Sequence, residues 1–254
     1  MRFFFVEPSQ VSVNRAILEG GEASHLRNVL RLKRGDAVGL VDGTGFEYEA
    51  VIDRIVPGRV ELEITGRRRS PGKAALSLTV AQGFLKEKKM EALVRQLSEL
   101  GATRFVPMVS ERAVARPDAG RGAFRRERWR KIAVESLKQC RRGDVMAVDE
   151  VHVLKDVLAR GRDHELSLFF WENATAPLPL VVSGRPKPAS VLAVLGPEGG
   201  FSDAEAQAAL DAGFQCVRLG PRILKAETAA VAACTVLQYL FGDLAGSQIA
   251  LDKE

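Results

Sequence analysis

The period of apolar and polar positions along this chain changes once, near residue 70. Before that point it is two. Val60-Glu61-Leu62-Glu63-Ile64 alternates cleanly, as a half-buried strand does. Ala37–Val41 and Phe46–Ile52 alternate in part, and Asp42-Gly43-Thr44-Gly45 between them predicts a hairpin turn. The Gly43-x-Gly45 pair is not a dinucleotide loop, because no helical pattern follows it. Met1–Val6 is apolar, stops at Glu7-Pro8, and reads as a first strand; Pro57-Gly58 predicts a further turn. Glu22–Leu32 is the exception, a short helix with Leu26, Val29 and Leu30 on one side. A small β-barrel over residues 1 to about 66 is the natural closure.

Gly66-Arg67-Arg68-Arg69-Ser70-Pro71-Gly72-Lys73 has linker composition, and beyond it strands alternate with helices. Strands are expected at Leu76–Val80, Arg104–Val109, Leu166–Trp171, Val191–Leu195 and Gln215–Leu219. Lys86–Leu100 predicts an amphipathic helix with Met90, Leu93, Val94, Leu97 and Leu100 on one face and Gly101 to end it. Phe124–Cys140 predicts a second, burying Trp129, Ile132, Ala133, Leu137 and Cys140. Ser202-Asp203-Ala204-Glu205 is a capping box that opens a third. Ala226–Phe241 is the last, and its alanine run at residues 229–233 admits a close neighbour. The alternation predicts an α/β class with a mostly parallel sheet, hence two domains, residues 1–70 and 74–254.

Composition adds limits. With 46% hydrophobic and 27% charged residues, the 254-residue chain is an ordinary globular protein, and no apolar run is long enough to span a bilayer. Cys140, Cys216 and Cys234 are odd in number and scattered, so reduced core thiols and a cytoplasmic location are expected. His25, His152 and His164 have no ligand spacing, so no metal is expected. The net charge of +5 is unevenly spread. Arg121–Arg142 holds nine basic residues against two acids, a net +7 that leaves −2 for the rest. With Arg67-Arg68-Arg69 and Lys86-Lys88-Lys89, this favours a phosphate-backbone partner over a merely solvated face.

The chemistry concentrates in two glycine loops. Leu195-Gly196-Pro197-Glu198-Gly199-Gly200 and Leu219-Gly220-Pro221-Arg222-Ile223-Leu224 each follow an expected strand and precede an expected helix. Such turns put unpaired N–H groups on one edge of a parallel sheet, where open α/β folds bind ligands. Walker, nucleophile-elbow, zinc-protease and Cys-x-x-Cys motifs are absent from the sequence. Ala81-Gln82-Gly83-Phe84-Leu85 replaces a glycine fingerprint after the first α/β strand, which weakens a Rossmann-type reading.

These loops, with Arg2-Phe3-Phe4, Gly35-Asp36, Gln82, Lys86, Met90, Glu99-Leu100-Gly101 and Ser110-Glu111-Arg112, resemble the RsmE family of 16S rRNA uridine-N3 methyltransferases, of the SPOUT class, almost end to end. The resemblance implies an N-terminal PUA-like RNA-binding barrel, a SPOUT α/β domain with a C-terminal trefoil knot, bound S-adenosylmethionine, a homodimer and the small ribosomal subunit as partner. It implies cofactor binding by Leu195, Gly196, Pro197, Glu198, Gly199, Gly200, Leu219, Gly220, Ile223, Leu224 and Thr228. Glu198, Arg222 and Glu227 are the catalytic candidates: a carboxylate to take the N3 proton, an arginine to stabilise the uracil anion. Glu227 has the alternative of capping the last helix, and Glu198 of binding cofactor only. RNA contacts are expected from His25, Arg27, Arg31, Arg112 and Arg142. The chain departs from the family at Lys138-Gln139-Cys140-Arg141-Arg142, where a Glu-Gln-Ser/Cys-Gly-Arg pattern is common, at Val145-Met146, where a proline is common, and at Lys225 in place of a frequent arginine. The rival readings are a SPOUT enzyme for another rRNA or tRNA nucleotide and a non-enzymatic assembly factor.

Overall fold

The computed structural model describes residues 1–70, 74–113, 122–140 and 142–246. The chain forms two compact units: Met1–Lys73 with Val134–Val145, and Ala74–Ala133 with Met146–Glu254.

The first unit is a five-stranded sheet built from β1 (Phe3–Phe5), β2 (Arg15–Glu19), β3 (Ala37–Val41), β4 (Phe46–Val56) and β5 (Arg59–Arg69), in the order β1-β3-β4-β5-β2. The β3–β4 turn is the expected hairpin, with Gly43 and Gly45 both at positive φ. No ladder joins β1 to β2 among the described residues, so the sheet is not closed there by strand pairing. One side of the alternation forms the core, with Phe4, Leu18, Leu26, Leu40, Ile52 and Leu62 buried. The expected helix at residues 22–32 is instead a short α1 (Gly20–Ser24) running into a π-type turn, His25–Val29. Residues 66–69, expected as linker, belong to β5. Arg67 stacks 3.8 Å from the Phe46 ring centroid, and Arg68 donates two hydrogen bonds to the buried Glu47 carboxylate, so cross-strand partners override linker composition. Pro71–Lys73 lie outside the described residues.

The second unit carries β6 (Ser77–Gly83), β7 (Arg104–Val109), β8 (Ala147–Val148), β9 (His152–Val153), β10 (Leu166–Phe170), β11 (Ser190–Leu195) and β12 (Gln215–Val217). All are parallel, in the order β12-β10-β11-β6-β7-β8, with β9 also on β7. β6 and β11 are buried almost throughout, as strands covered on both faces are. The helices are α2 (Glu87–Glu99), α3 (Gly122–Cys140), which belongs to this unit only as far as Ala133, α4 (Leu154–Ala159), α5 (Leu178–Val182), α6 (Asp203–Asp211) and α7 (Ala226–Phe241). Val157 of α4 and Ala206 and Ala209 of α6 join Val106, Leu192, Val194 and Phe201 in one core cluster. α7 packs across β6 and β11 with α2 against it, its Ala230 and Ala233 fully buried as the alanine run predicts. Trp129 of α3 sits between Phe84 and Phe105 at ring-centroid distances of 6.0 and 6.2 Å. The three cysteines are free, and Cys234 alone is buried; Cys140 and Cys216 are partly exposed. No described helix is long and apolar enough to cross a membrane.

Candidate active site

β10, β11 and β12 end on the same sheet edge, and the chain leaving each one turns over it. Phe170–Glu172, Leu195–Glu198 with Gly200 and Phe201, and Val217–Leu224 line one cleft, closed on one side by Ala226 and Ala229 of α7. It encloses about 860 Å³, part of it open to solvent. Of the sequence-derived ligand residues, Leu195, Gly196, Pro197, Glu198, Gly200, Leu219, Gly220, Ile223 and Leu224 meet here, together with Arg222. Gly199, Thr228 and Glu227 are not in the lining. A Cβ on Gly199 would stand 2.7 Å from the Arg112 carbonyl oxygen, so that glycine serves a close backbone approach.

The first loop is fixed from below by the strand before it in the sheet. Gln82, fully buried at the end of β6, donates from Nε2 to the Gly196 carbonyl at 2.7 Å and to its neighbour Gly83 at 3.1 Å. Gly83 touches the same loop: a Cβ there would lie 2.4 Å from the Pro197 nitrogen. The turn Ser110-Glu111-Arg112 braces it from the side. Arg112 donates to the Phe201 carbonyl at 3.2 Å, Ser202 Oγ donates to Glu111 at 2.6 Å, and the Glu111 N–H donates to Glu205 at 2.7 Å. The capping box on α6 forms as expected, Ser202 Oγ accepting from the Glu205 N–H while Glu205 accepts from the Ser202 N–H. Arg112 therefore has a local structural partner beside its expected RNA role.

In the second loop Gly220 takes φ of 114° with open space where a side chain would project, leaving its backbone bare to the cleft. The Trp171 N–H holds the Val217 carbonyl at 3.0 Å. The indole Nε1 of Trp171 is buried without a hydrogen-bond partner. A buried, unsatisfied donor in a cleft wall is costly unless a ligand acceptor meets it. Arg218 and Arg222 are exposed at the rim, and no ion pair or hydrogen bond engages either guanidinium among the described residues.

Three charges meet beside the first loop. Lys89 of α2 places Nζ 3.3 Å from Glu198 and 3.3 Å from the carboxylate of Glu227, in the first turn of α7. These bonds raise the Lys89 pKa, Glu198 first. The Glu227 carboxyl is held below its usual value, first by a hydrogen bond from its own backbone N–H at the helix start, with Lys89 adding to it. The N-cap residue of α7 is Lys225, and it makes no side-chain cap. Glu227 is thus a bound carboxylate in the first turn rather than a wall of the cleft.

The expected RNA-contact residues divide. His25, Arg27 and Arg31 are exposed on the α1 turn, Arg31 at φ 53°, with the His25 ring edge-on to Phe4. Arg142 is only 6% exposed and bonds Asp144 at 3.5 Å. Much of the basic stretch is engaged inside the protein: Arg126 with Glu150, Arg128 with Glu91, and Lys138 with Glu22 and Glu135. Arg121 and Arg141 lie outside the described residues. No group of three metal-binding side chains occurs among the described residues.

Sequence reasoning missed Trp171, Glu172, Arg218 and Lys89. The signal for Trp171 and Glu172 was the end of the expected strand at Trp171, read as a strand end only; Arg218 stood inside the expected strand Gln215–Leu219, next to a loop already singled out. Lys89 had no local signal.

Comparison with known proteins fits this architecture. The model of an RNA methyltransferase domain matches residues 72–238, and that of an RNA methyltransferase PUA domain matches residues 18–65. The chain is 30% identical over 256 residues to the ribosomal RNA small subunit methyltransferase E of Bacillus subtilis, covering 98% of this chain and 100% of the other. It is 32% identical over 227 residues to the protein of that name from Aquifex aeolicus, covering 88% and 94%. The crystal structure of the Neisseria gonorrhoeae ribosomal RNA small subunit methyltransferase E, bound to S-adenosylmethionine, superposes with a TM-score of 0.84 at 29% identity, over 96% of this chain and 99% of that one. A Legionella pneumophila protein with bound S-adenosylmethionine gives a TM-score of 0.87 at 28% identity, over 96% and 100%.

Proposed function

The chain belongs to the ribosomal RNA small subunit methyltransferase E family, and from that premise we propose that it methylates N3 of one uridine in the 16S rRNA of the small ribosomal subunit, using S-adenosylmethionine. The observation that carries this reading is the convergence of both glycine loops and the β10 end on one cleft at the C-terminal edge of a parallel sheet. The cleft suits the cofactor's parts. Apolar walls from Phe170, Leu195, Leu219 and Leu224 suit a purine, and the bare backbone of Gly196, Gly200 and Gly220 suits its polar edge. The buried indole N–H of Trp171, with no partner among the described residues, suits a ligand acceptor. Glu172 and Glu198 offer carboxylates to a cationic ligand, and Arg218 offers a cation to a carboxylate.

When bound, the cofactor supplies a methyl group on a sulfonium, and the uracil N3–H proton must leave as N3 takes that methyl. Of the two glutamates on the glycine-loop side, Glu198 lines the cleft and Glu227 does not, so Glu198 is the candidate to accept this proton. Arg222, exposed and unpaired at the rim, is the candidate to stabilise negative charge on the uracil oxygens. Glu227 is a poorer base, because its pKa is lowered and it does not line the cleft. Its proposed part is therefore in the charge arrangement behind Glu198. Fixing the reacting atoms in line supplies much of the remaining rate.

Residues 1–70 form the proposed PUA-like RNA-binding domain and residues 74–254 the SPOUT catalytic domain, with the exposed His25, Arg27, Arg31 and Arg112 in RNA contact; Arg142, buried beside Asp144, is not placed for that role. The family resemblance supports a trefoil knot in the C-terminal part of the chain. The enzyme is inferred to act as a cytoplasmic homodimer. The target uridine must be unstacked to reach a protein cleft.

The test is methyl transfer from labelled S-adenosylmethionine to small subunits that lack the modification, with the modified nucleotide mapped. One N3-methyluridine in 16S rRNA is the expected product. Cofactor binding without incorporation would reject this substrate in favour of another RNA or a binding factor.

A further inference from the structure

Lys89 stands where three separated pieces of the second unit meet: helix α2, the first glycine loop and the first turn of α7. Its Nζ is 3.3 Å from a Glu198 oxygen and 3.3 Å from both oxygens of Glu227. Glu198 lines the cleft, whereas Lys89 and Glu227 do not. Two carboxylates anchored to one point repel each other without a shared cation. The cleft also has Glu172 in its wall, against Gly200 of the same loop. Other basic groups at the site are Lys225, which acts on Glu227 through space, and Arg218 and Arg222 in the cleft lining. Neither Arg218 nor Arg222 pairs with Glu198 among the described residues, so Lys89 alone fixes its direction.

We propose that Lys89 is a positioning residue for ligand binding: its ammonium holds Glu198 and Glu227 together, and so aims the Glu198 carboxylate at the cationic part of the bound cofactor. Lys89 acts through Glu198 and touches no ligand. Among the basic cluster Lys86-Lys88-Lys89, this lysine is thereby taken out of the pool of phosphate contacts. The proposal rests on the S-adenosylmethionine reading given above.

The experiment measures binding of S-adenosylhomocysteine and S-adenosylmethionine to the full chain by titration calorimetry. Four proteins are compared with the unaltered one: Lys89→Met, Lys89→Arg, Glu198→Gln and the Lys89→Met/Glu198→Gln double variant. Because the bridge is two half-exposed charge pairs, Lys89→Met should weaken S-adenosylmethionine binding about fivefold. The loss should be smaller for S-adenosylhomocysteine, which lacks the sulfonium charge, and Lys89→Arg should return most of the affinity. In the Glu198→Gln background, Lys89→Met should change affinity less than about twofold, because its effect runs through that carboxylate. Equal losses with and without Glu198, or affinity unchanged by Lys89→Met, would overturn the proposal. An unaltered protein that binds neither compound would refute the cofactor reading itself, a result distinct from either of these. Circular dichroism melts of each variant identify one that fails to fold; Lys89→Arg and Glu198→Gln then carry the comparison.

Discussion

Replacing Gly83 by alanine tests whether the floor of the cleft is set by backbone contact between β6 and the first glycine loop. The new Cβ would stand 2.4 Å from the Pro197 nitrogen, 2.5 Å from its Cδ and 2.8 Å from the Gly196 carbonyl carbon. Comfortable approach for such atoms is about 3.5 Å, so the loop must retreat by about 1 Å. All three atoms belong to a loop tied down by Gln82, Arg112 and the α6 cap, so the strain cannot be shed by turning a flexible side chain. Overpacking of this kind costs about 1–3 kcal/mol. At this chain length that is a fall in Tm of about 2–12 °C. The same shift moves Gly196, whose backbone forms part of the cleft, so S-adenosylhomocysteine affinity should drop about tenfold. Differential scanning calorimetry and titration calorimetry read the two effects. Gly21→Ala is the control, since nothing lies within 4 Å of its Cβ position. It should leave both quantities nearly unchanged. If Gly83→Ala melts within about 1 °C of the parent and binds within about twofold, the close approach does not set the loop, and the reasoning fails.

Three further outcomes follow from other parts of the structure. Ser202→Ala removes the hydroxyl that caps α6 and also donates to Glu111, so chemical denaturation should show a loss of about 1–2 kcal/mol; a loss under about 0.3 kcal/mol would contradict the bridging role. Glu227 has a depressed folded pKa, so its contribution is present above its unfolded value of 4.5 and is lost as pH falls through the lower folded value. Acid unfolding of Glu227→Gln should accordingly show a shallower loss of stability below pH 4.5 than the parent, and identical acid limbs would refute this. Tyr48 is raised to about 12 by burial and by its 2.8 Å bond to Asp42, so stability is present below pH 10.0 and lost as pH rises toward 12. Ultraviolet titration should find one tyrosine that ionises only near that pH, and Tyr48→Phe should abolish the late step.

The sequence determined the local parts. Period-two alternation put β3, β4 and β5 on the page, and helical spacing with Gly101 bounded α2, because burial of one face is written in neighbouring residues. The capping box at Ser202 formed as spelled, since its partners lie three residues apart. Both glycine loops were legible as turns at strand ends, and the structure brings both to one cleft. What the sequence left out is all long-range. Gln82 and Gly196 are 114 residues apart, and Lys89 lies 109 and 138 residues from its two carboxylates. No periodicity encodes such pairs. They exist because β11 is inserted between β10 and β6, which brings the ends of distant strands to one edge. The same order explains why Trp171 and Glu172 join the cleft and why Glu227 stands behind it. Local propensity set the elements; strand order, through burial of the sheet on both faces, set which side chains meet.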